Sequence, residues 1–202
     1  VPLAARYRVL AVDLPGFGGS EKPDANYSAE FFLGAIAEFL DRVAVRRATI
    51  AGNSFGGILA TRFALAHADR VERLILVSGV REFNDEERNF TRERMSRENL
   101  LGLTPEVNQL MFAPIFAKQG PAQERYLAKQ NAKLMRADYP EYARAMARSV
   151  ETALTAYQPE RLGEMRCPVL LLWGQQDVVI PPDHARHALA QLKNGTLVVL
   201  PG

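Results

Sequence analysis

The sequence predicts an α/β fold in which a mostly parallel sheet is flanked by helices and interrupted by a helical cap. Short apolar runs alternate with amphipathic segments over residues 1–80, and strands separated by helices favour a parallel sheet. The strand pattern disappears over residues 81–160, where charged helical segments dominate, and it returns over residues 161–202. We therefore expect a core in two parts, 1–80 and 161–202, with a cap of residues 81–160 inserted between them.

The first part of the core alternates between strand and helix patterns. Apolar, β-branched runs indicate buried strands, and apolar residues at helical spacing indicate helices. Ser28 has the side chain of a helix N-cap, and Glu30 places a negative charge in the first turn, where it is favoured. The predicted order is strand 7–12, helix 28–43, strand 48–52, helix 57–68 and strand 73–78.

The cap and the second part of the core follow the same reasoning. Cap helices are predicted at 85–101, 105–111, 122–136 and 139–157, and the core then continues as strand 168–173, helix 183–192 and strand 196–200. Five large apolar side chains of the cap either line a pocket or pack between the cap helices: Met111, Phe112, Phe116, Met135 and Met146.

Composition narrows the class of protein and its partners. The 202 residues carry a formal net charge of only +2, which gives no basic stripe for nucleic acid. Cys167 is the only cysteine, so neither an intrachain disulfide nor a zinc site built on paired cysteines is available. No apolar run approaches the ~20 residues that span a bilayer, and residues 1–10 lack the apolar stretch of a signal peptide. We expect a cytoplasmic protein with a small-molecule partner, without nucleic acid or a membrane span, and leave its oligomeric state open.

A nucleophile motif lies at the junction of the predicted strand 48–52 and helix 57–68. Gly52-Asn53-Ser54-Phe55-Gly56 fits G-x-S-x-G, in which a sharp strand-to-helix turn exposes a strained serine. We predict that Gly52 and Gly56 are small because a larger side chain would clash with neighbouring chain, and that the N–H of Phe55 points at a developing oxyanion. The alternative is that these glycines only let a helix pack tightly on a sheet.

Asp177 is the candidate acid. A nucleophilic serine needs a base and an acid that orients the base, and this fold places them in the order serine, acid, histidine. Asp177 follows the strand 168–173, so it lies at the carboxyl edge of the sheet, together with Ser54. The alternative reading of Asp177 is a turn or cap residue before the helix 183–192.

None of the three histidines is placed to serve Ser54. His67 ends the helix that begins at the nucleophile, which puts it roughly 20 Å away. His184 and His187 lie on the predicted helix 183–192, whose apolar side is formed by other residues, so we read both as surface residues.

Three segments together carry a family resemblance. Residues 13–20 (DLPGFGGS), residues 52–57 (GNSFGG), and Trp173-Gly174 with Asp177 and Pro181 follow one another in a characteristic order. The chain resembles the α/β-hydrolase family, in its branch of capped serine esterases and carbon–carbon hydrolases, over nearly its whole length.

The resemblance has further implications. It implies that a cap lies over the nucleophile, that no cofactor or metal is used, and that the acidic residue Asp13 braces its loop. It also implies truncation at both ends. The catalytic histidine would lie a few residues beyond the strand 196–200, and a second oxyanion donor and further strands would precede Val1, so we expect the 202 residues alone to be inactive.

The sequence thus predicts a hydrolase of carboxylic esters or related acyl compounds that works through an acyl-enzyme on Ser54, with Asp177 as acid and Phe55 as oxyanion donor. A second possibility is a carbon–carbon hydrolase of a ring-cleavage keto-acid, which Asn53 beside the nucleophile resembles. A third, of another class, is a non-catalytic member that only binds small molecules.

Overall fold

A four-stranded, wholly parallel sheet forms the centre of the computed structural model, which describes residues 2–201. The strands are β1 (Ala48–Asn53), β2 (Val71–Val77), β3 (Val169–Gly174) and β4 (Gly195–Leu200). They lie side by side in chain order, β1-β2-β3-β4. The predicted fold class, a parallel sheet flanked by helices, is confirmed.

Eight α-helices accompany the sheet among the described residues. They are α1 (Ala29–Arg42), α2 (Phe55–Ala66), α3 (Asp85–Arg94), α4 (Arg97–Leu101), α5 (Pro105–Phe112), α6 (Pro121–Leu134), α7 (Tyr139–Thr155) and α8 (Pro182–Gln191). Helix α2 packs on β1 and β2 and against α1, whereas α8 packs on β3 and β4. Helices α3–α7 all fall between β2 and β3, where the sequence predicted an all-helical segment. Within residues 2–201, no helix combines the length and the apolar composition needed to cross a membrane.

The core lies where the sheet meets α1 and α2. Its largest fully buried side chains include Phe32 of α1, Phe63 of α2 and Trp173 of β3. Helix α1 begins where predicted, because the Ser28 side chain accepts a hydrogen bond from the Phe31 N–H (3.2 Å). Burial of this apolar face is the main stabilising contribution to the fold.

The predicted strand at residues 7–12 is wrong. These residues have no regular secondary structure, and Tyr7, Val9 and Leu10 are exposed rather than buried. An extended segment becomes a strand only when a neighbour completes its hydrogen-bond ladder. None of the four described strands pairs with this segment.

The predicted helix at residues 85–101 is two helices, α3 and α4. Ser96 lies between them with extended backbone, and its side chain accepts from the Asn99 N–H (3.2 Å), so it caps α4. At the start of α3, Asn84 and Glu87 form a reciprocal capping box. A capping serine in the middle of a helical pattern therefore turns the chain.

Helix α7 is fastened to the loop of residues 13–28. The buried ammonium of Lys22 pairs with Asp138, just before α7, at 2.8 Å, and donates to two carbonyls of its own loop. Farther along, the Thr152 hydroxyl donates to the Tyr27 carbonyl (2.9 Å). Asp13 braces the same loop, because its carboxylate accepts from the Gly19 N–H (2.9 Å). These contacts fix α7 against the core.

Candidate active site

The turn between β1 and α2 holds Ser54 in a backbone conformation that side chains rarely adopt. Its φ of 50° and ψ of −123° are strained for a residue other than glycine. The Ser54 N–H donates to the Val77 carbonyl at the end of β2 (3.1 Å), while the Ser54 side chain makes no capping bond to α2. Ser54 is exposed at the carboxyl end of β1, so its hydroxyl is open to a reactant.

Two positions beside this turn have room only for glycine. They are Gly52, which belongs to the predicted pair Gly52 and Gly56, and Gly57, which does not. A Cβ at Gly52 would collide with the carbonyl of Gly56 and lie 2.7 Å from the Gly57 nitrogen. A Cβ at Gly56 would meet nothing within 4 Å, so the prediction of a clash there is wrong. The second crowded position is Gly57, where α2 touches the chain at Gly79.

Replacing Gly57 with alanine should destabilise the protein by about 2 kcal/mol or more, because overpacking against rigid backbone forces the chain to shift. The new Cβ would lie 2.8 Å from the Gly79 carbonyl oxygen and closer still to its Cα. Urea unfolding measures the change. The matched control is Gly34→Ala in the exposed face of α1, where a Cβ meets nothing within 4 Å. There alanine should stabilise by about 0.5–1 kcal/mol. Equal effects at both glycines would contradict the packing argument.

Phe55 connects the nucleophile turn to the helical segment. As the first residue of α2 it has an N–H without an acceptor inside the helix, beside the positive end of the helix dipole. Its ring packs edge-on against Phe32 (5.4 Å between centroids) and against Phe17 (6.2 Å). Phe17 in turn meets Tyr142 of α7 at 6.1 Å. Burial raises the pKa of Tyr142 to about 12, so its hydroxyl stays uncharged beside these rings at neutral pH.

Asp177 lies on the loop that follows β3. Its Oδ1 accepts hydrogen bonds from the N–H groups of Val179 (3.0 Å) and Ile180 (2.8 Å). The indole N–H of Trp173 donates to the Ile180 carbonyl (2.8 Å), which fixes the loop to β3. Because Oδ1 binds two N–H groups of its own loop, Asp177 also stabilises the turn. This structural role is compatible with its role as the candidate acid.

Sequence reasoning missed two residues that hold this loop. Ser78 follows β2 and donates its hydroxyl to Asp177 Oδ2 (2.7 Å). Arg81 donates to the Val179 carbonyl (2.9 Å) and to Glu87 of α3 (2.8 Å). Neither belongs to a motif. The available signal was position, since a polar residue at the carboxyl end of β2 lies between the segments that carry Ser54 and Asp177.

The histidines lie away from this centre. His67 caps the end of α2 and stacks on Phe63 at 4.7 Å. His187 is exposed on α8, as predicted, but His184 is half-buried, and the charges that act on it include Arg81, Glu82 and Glu87. Within residues 2–201, none of the three is hydrogen-bonded to Ser54 or Asp177 through its side chain. No three side chains of the described part come together as metal ligands.

The position of His184 predicts a stability that depends on pH. Burial first, and then the Arg81 charge, lower the pKa of His184 below its ordinary value of 6.5. The unfolded chain therefore takes up this proton more readily than the folded chain. The stability that the neutral His184 side chain contributes to the folded state is fully present above about pH 6.5. It is lost as the pH falls towards the lower pKa of His184 in the folded chain.

We expect His184→Gln to lose less free energy of unfolding than the wild-type protein between pH 7.5 and pH 5. Urea unfolding at the two pH values measures the difference. His187→Gln, on the exposed side of the same helix, is the control and should keep most of the wild-type pH dependence, because His187 is the weakest of the charges that act on His184. If the free energy of unfolding of His184→Gln depends on pH as that of the wild-type protein does, burial of His184 is not the cause of the dependence.

Comparison with known proteins agrees with this architecture. The sequence profile described as the alpha/beta hydrolase family matches residues 1–202. A hydrolase of 2-hydroxy-6-oxononadienedioate and 2-hydroxy-6-oxononatrienedioate from Dechloromonas aromatica is 30% identical over 200 residues, 96% of this chain and 68% of that protein.

Among solved structures, a probable hydrolytic enzyme from Pseudomonas aeruginosa superposes with a TM-score of 0.80 at 26% identity, covering 98% of this chain and 70% of the other. A meta-cleavage product hydrolase from Pseudomonas fluorescens gives a TM-score of 0.82 at 22% identity, covering 98% and 73%, which shows a shared fold. The strained serine turn, the parallel sheet and the family profile coincide over one chain, which therefore belongs to the α/β hydrolase family.

Proposed function

We propose that the protein is a serine hydrolase that cleaves carboxylic esters through an acyl-enzyme on Ser54. The observation that carries the proposal is the strained turn of Ser54, whose exposed hydroxyl lies at the carboxyl edge of the sheet. Asp177 lies beyond the end of β3 at the same edge, and Ser78 bridges towards it from the end of β2. Sites of open α/β sheets form along this edge.

In the proposed reaction the Ser54 hydroxyl attacks the acyl carbon and forms a tetrahedral intermediate. The N–H of Phe55, free at the start of α2, donates to the oxyanion as its negative charge develops. The alcohol then leaves with the proton that the base took from Ser54, and water, activated by the same base, attacks the acyl-enzyme to release the acid. This path needs a base for the Ser54 proton and for the water.

We infer that a histidine following β4 supplies this base, with Asp177 orienting it. Two features support the position. Gly174 at the end of β3 pairs with Leu200 at the end of β4, and the Gln175 N–H donates to the Leu200 carbonyl (2.8 Å). Chain leaving β4 therefore emerges beside the loop of Asp177. The three described histidines make no side-chain hydrogen bond to Ser54 or Asp177.

We also propose that the helical segment of residues 81–160 acts as the cap. Tyr142 of α7, the last helix of this segment, contacts Phe17, which contacts Phe55. Helix α7 therefore lies one ring away from the first residue after the nucleophile. Phe112 and Phe116 pack on Tyr126 inside the segment, and Met135 is exposed. These ring contacts support packing within the cap, and not a pocket lining, as the role of the two phenylalanines.

A second candidate is hydrolysis of a carbon–carbon bond in a keto-acid from aromatic ring cleavage. The relative from Dechloromonas aromatica, whose printed substrates are oxo-dienedioates and oxo-trienedioates, favours it at 30% identity. The Asn53 side-chain amide donates to the Val77 carbonyl (2.8 Å) and braces the turn, a contact that does not distinguish between the two candidates.

The test uses the full-length protein with a fluorophosphonate probe, followed by turnover of p-nitrophenyl esters and of a vinylogous keto-acid. We expect covalent labelling at Ser54 and no other serine, with ester turnover. Keto-acid turnover without ester turnover would replace the first candidate with the second. A protein that binds ligands without labelling at Ser54 would be a non-catalytic member of the family, and both candidates would fail.

A further inference from the structure

Ser78 occupies the junction between the nucleophile turn and the acid loop. Its own N–H donates to the Leu172 carbonyl of β3 (3.1 Å), and the residue before it, Val77, accepts the Ser54 N–H (3.1 Å). The residue after it, Gly79, is pressed against Gly57 of α2. The backbone at position 78 is therefore fixed from both sides, relative to Ser54 and to β3.

The backbone of Ser78 is strained. Its φ is +43°, in the left-handed region that favours glycine. Serine adopts this conformation against its backbone preference, and its side chain supplies the hydroxyl that is bonded to Asp177.

The hydroxyl completes the support of the Asp177 carboxylate. An ionised carboxylate offers about four lone-pair positions. Two backbone N–H groups hold Oδ1, and the Ser78 hydroxyl, at 2.7 Å, holds Oδ2. No other donor of residues 2–201 occupies Oδ2, which leaves one position on it for the N–H of an imidazole. Without Ser78, the contacts to Oδ1 alone leave the carboxylate free to tilt.

We propose that Ser78 is a positioning residue that orients the Asp177 carboxylate towards the base. The inference rests on the proposed function, in which Asp177 orients the base. Ser78 touches no reacting atom; it acts through Asp177. A misdirected acid lowers turnover while leaving the binding of substrate largely unchanged.

The first part of the test separates the hydroxyl from backbone strain in the full-length protein. Ser78→Gly removes the hydroxyl and relieves the positive φ, so it should fold well but lower kcat about 10- to 100-fold with little change in KM. Ser78→Thr keeps the hydroxyl but places a β-branched residue at positive φ, so it should melt at a lower temperature and keep most of the wild-type kcat. Ser96→Gly, at the cap of α4, is the control and should keep the wild-type kcat.

The second part repeats Ser78→Gly in the Asp177→Asn background. If Ser78 acts through Asp177, the double variant should be no slower than Asp177→Asn alone. A kcat that follows melting temperature across the variants, an undiminished kcat in Ser78→Gly, or the same fold-loss in both backgrounds would overturn the proposal. An Asp177→Asn variant that keeps full activity would instead show that the proposed function itself is wrong.

Discussion

Ester hydrolysis should fall about a million-fold in kcat when Ser54 is replaced by alanine, as it does when the nucleophile of another serine hydrolase is removed. In the proposed mechanism the Ser54 hydroxyl forms the acyl-enzyme, and no second hydroxyl shares its turn between β1 and α2. Steady-state turnover of a p-nitrophenyl ester measures the effect, and the fluorophosphonate label should disappear in the same variant.

The fold should survive this change. Alanine keeps the Cβ of Ser54 and removes only an oxygen that makes no capping bond to α2. Circular dichroism and melting temperature should therefore match the wild-type protein, and Ser96→Ala should keep full turnover. Residual turnover within tenfold of wild type in Ser54→Ala would exclude Ser54 as the nucleophile.

Turnover should also fall about ten-thousand-fold when Asp177 is replaced by asparagine, because a neutral partner neither selects the right tautomer of the base nor stabilises the imidazolium. The amide can be accommodated, since its oxygen can still accept from the Val179 and Ile180 N–H groups that hold Oδ1. Measured kcat should drop while KM changes little.

Asp183→Asn is the matched control for the acid. Asp183 lies six residues on, in the first turn of α8, where it is exposed and pairs with Arg186. It carries the same charge but is not hydrogen-bonded to Ser78, so its loss should leave turnover unchanged. Comparable losses from the two variants would show that the charge of the region matters and that Asp177 has no special role.

The strand–turn–helix around Ser54 could be predicted from sequence because every part of it is local. The apolar run 48–52, the glycines and the helix after them lie within twenty residues, and their periodicities are distinct. Asp177 was reached by the same local reasoning, since it follows an apolar strand by a few residues. The helical character of residues 85–155 was likewise visible in the pattern.

The features that sequence reasoning missed depend on distant partners. Residues 7–12 have a strand-like composition, but no described strand completes their ladder. Close packing at Gly57 could be expected from the motif, but its partner Gly79, twenty-two residues away, could not. Ser78 gains its meaning from a contact with Asp177, ninety-nine residues away. Local sequence patterns carry no information about contacts between residues that are distant in the sequence.

The order of the strands indicates which strand pair should separate first when the protein is heated. Ser54 belongs to a unit of β1, α2 and β2, and Asp177 to a second unit of β3, α8 and β4. Six residue pairs join the strands within each unit, but only four join β2 to β3. The chain between those two strands is also the longest in the sheet, so their pairing is the hardest to re-form after it opens. We therefore expect this seam to separate the two halves of the candidate site before either half loses its own helices, so that activity is lost on heating before secondary structure.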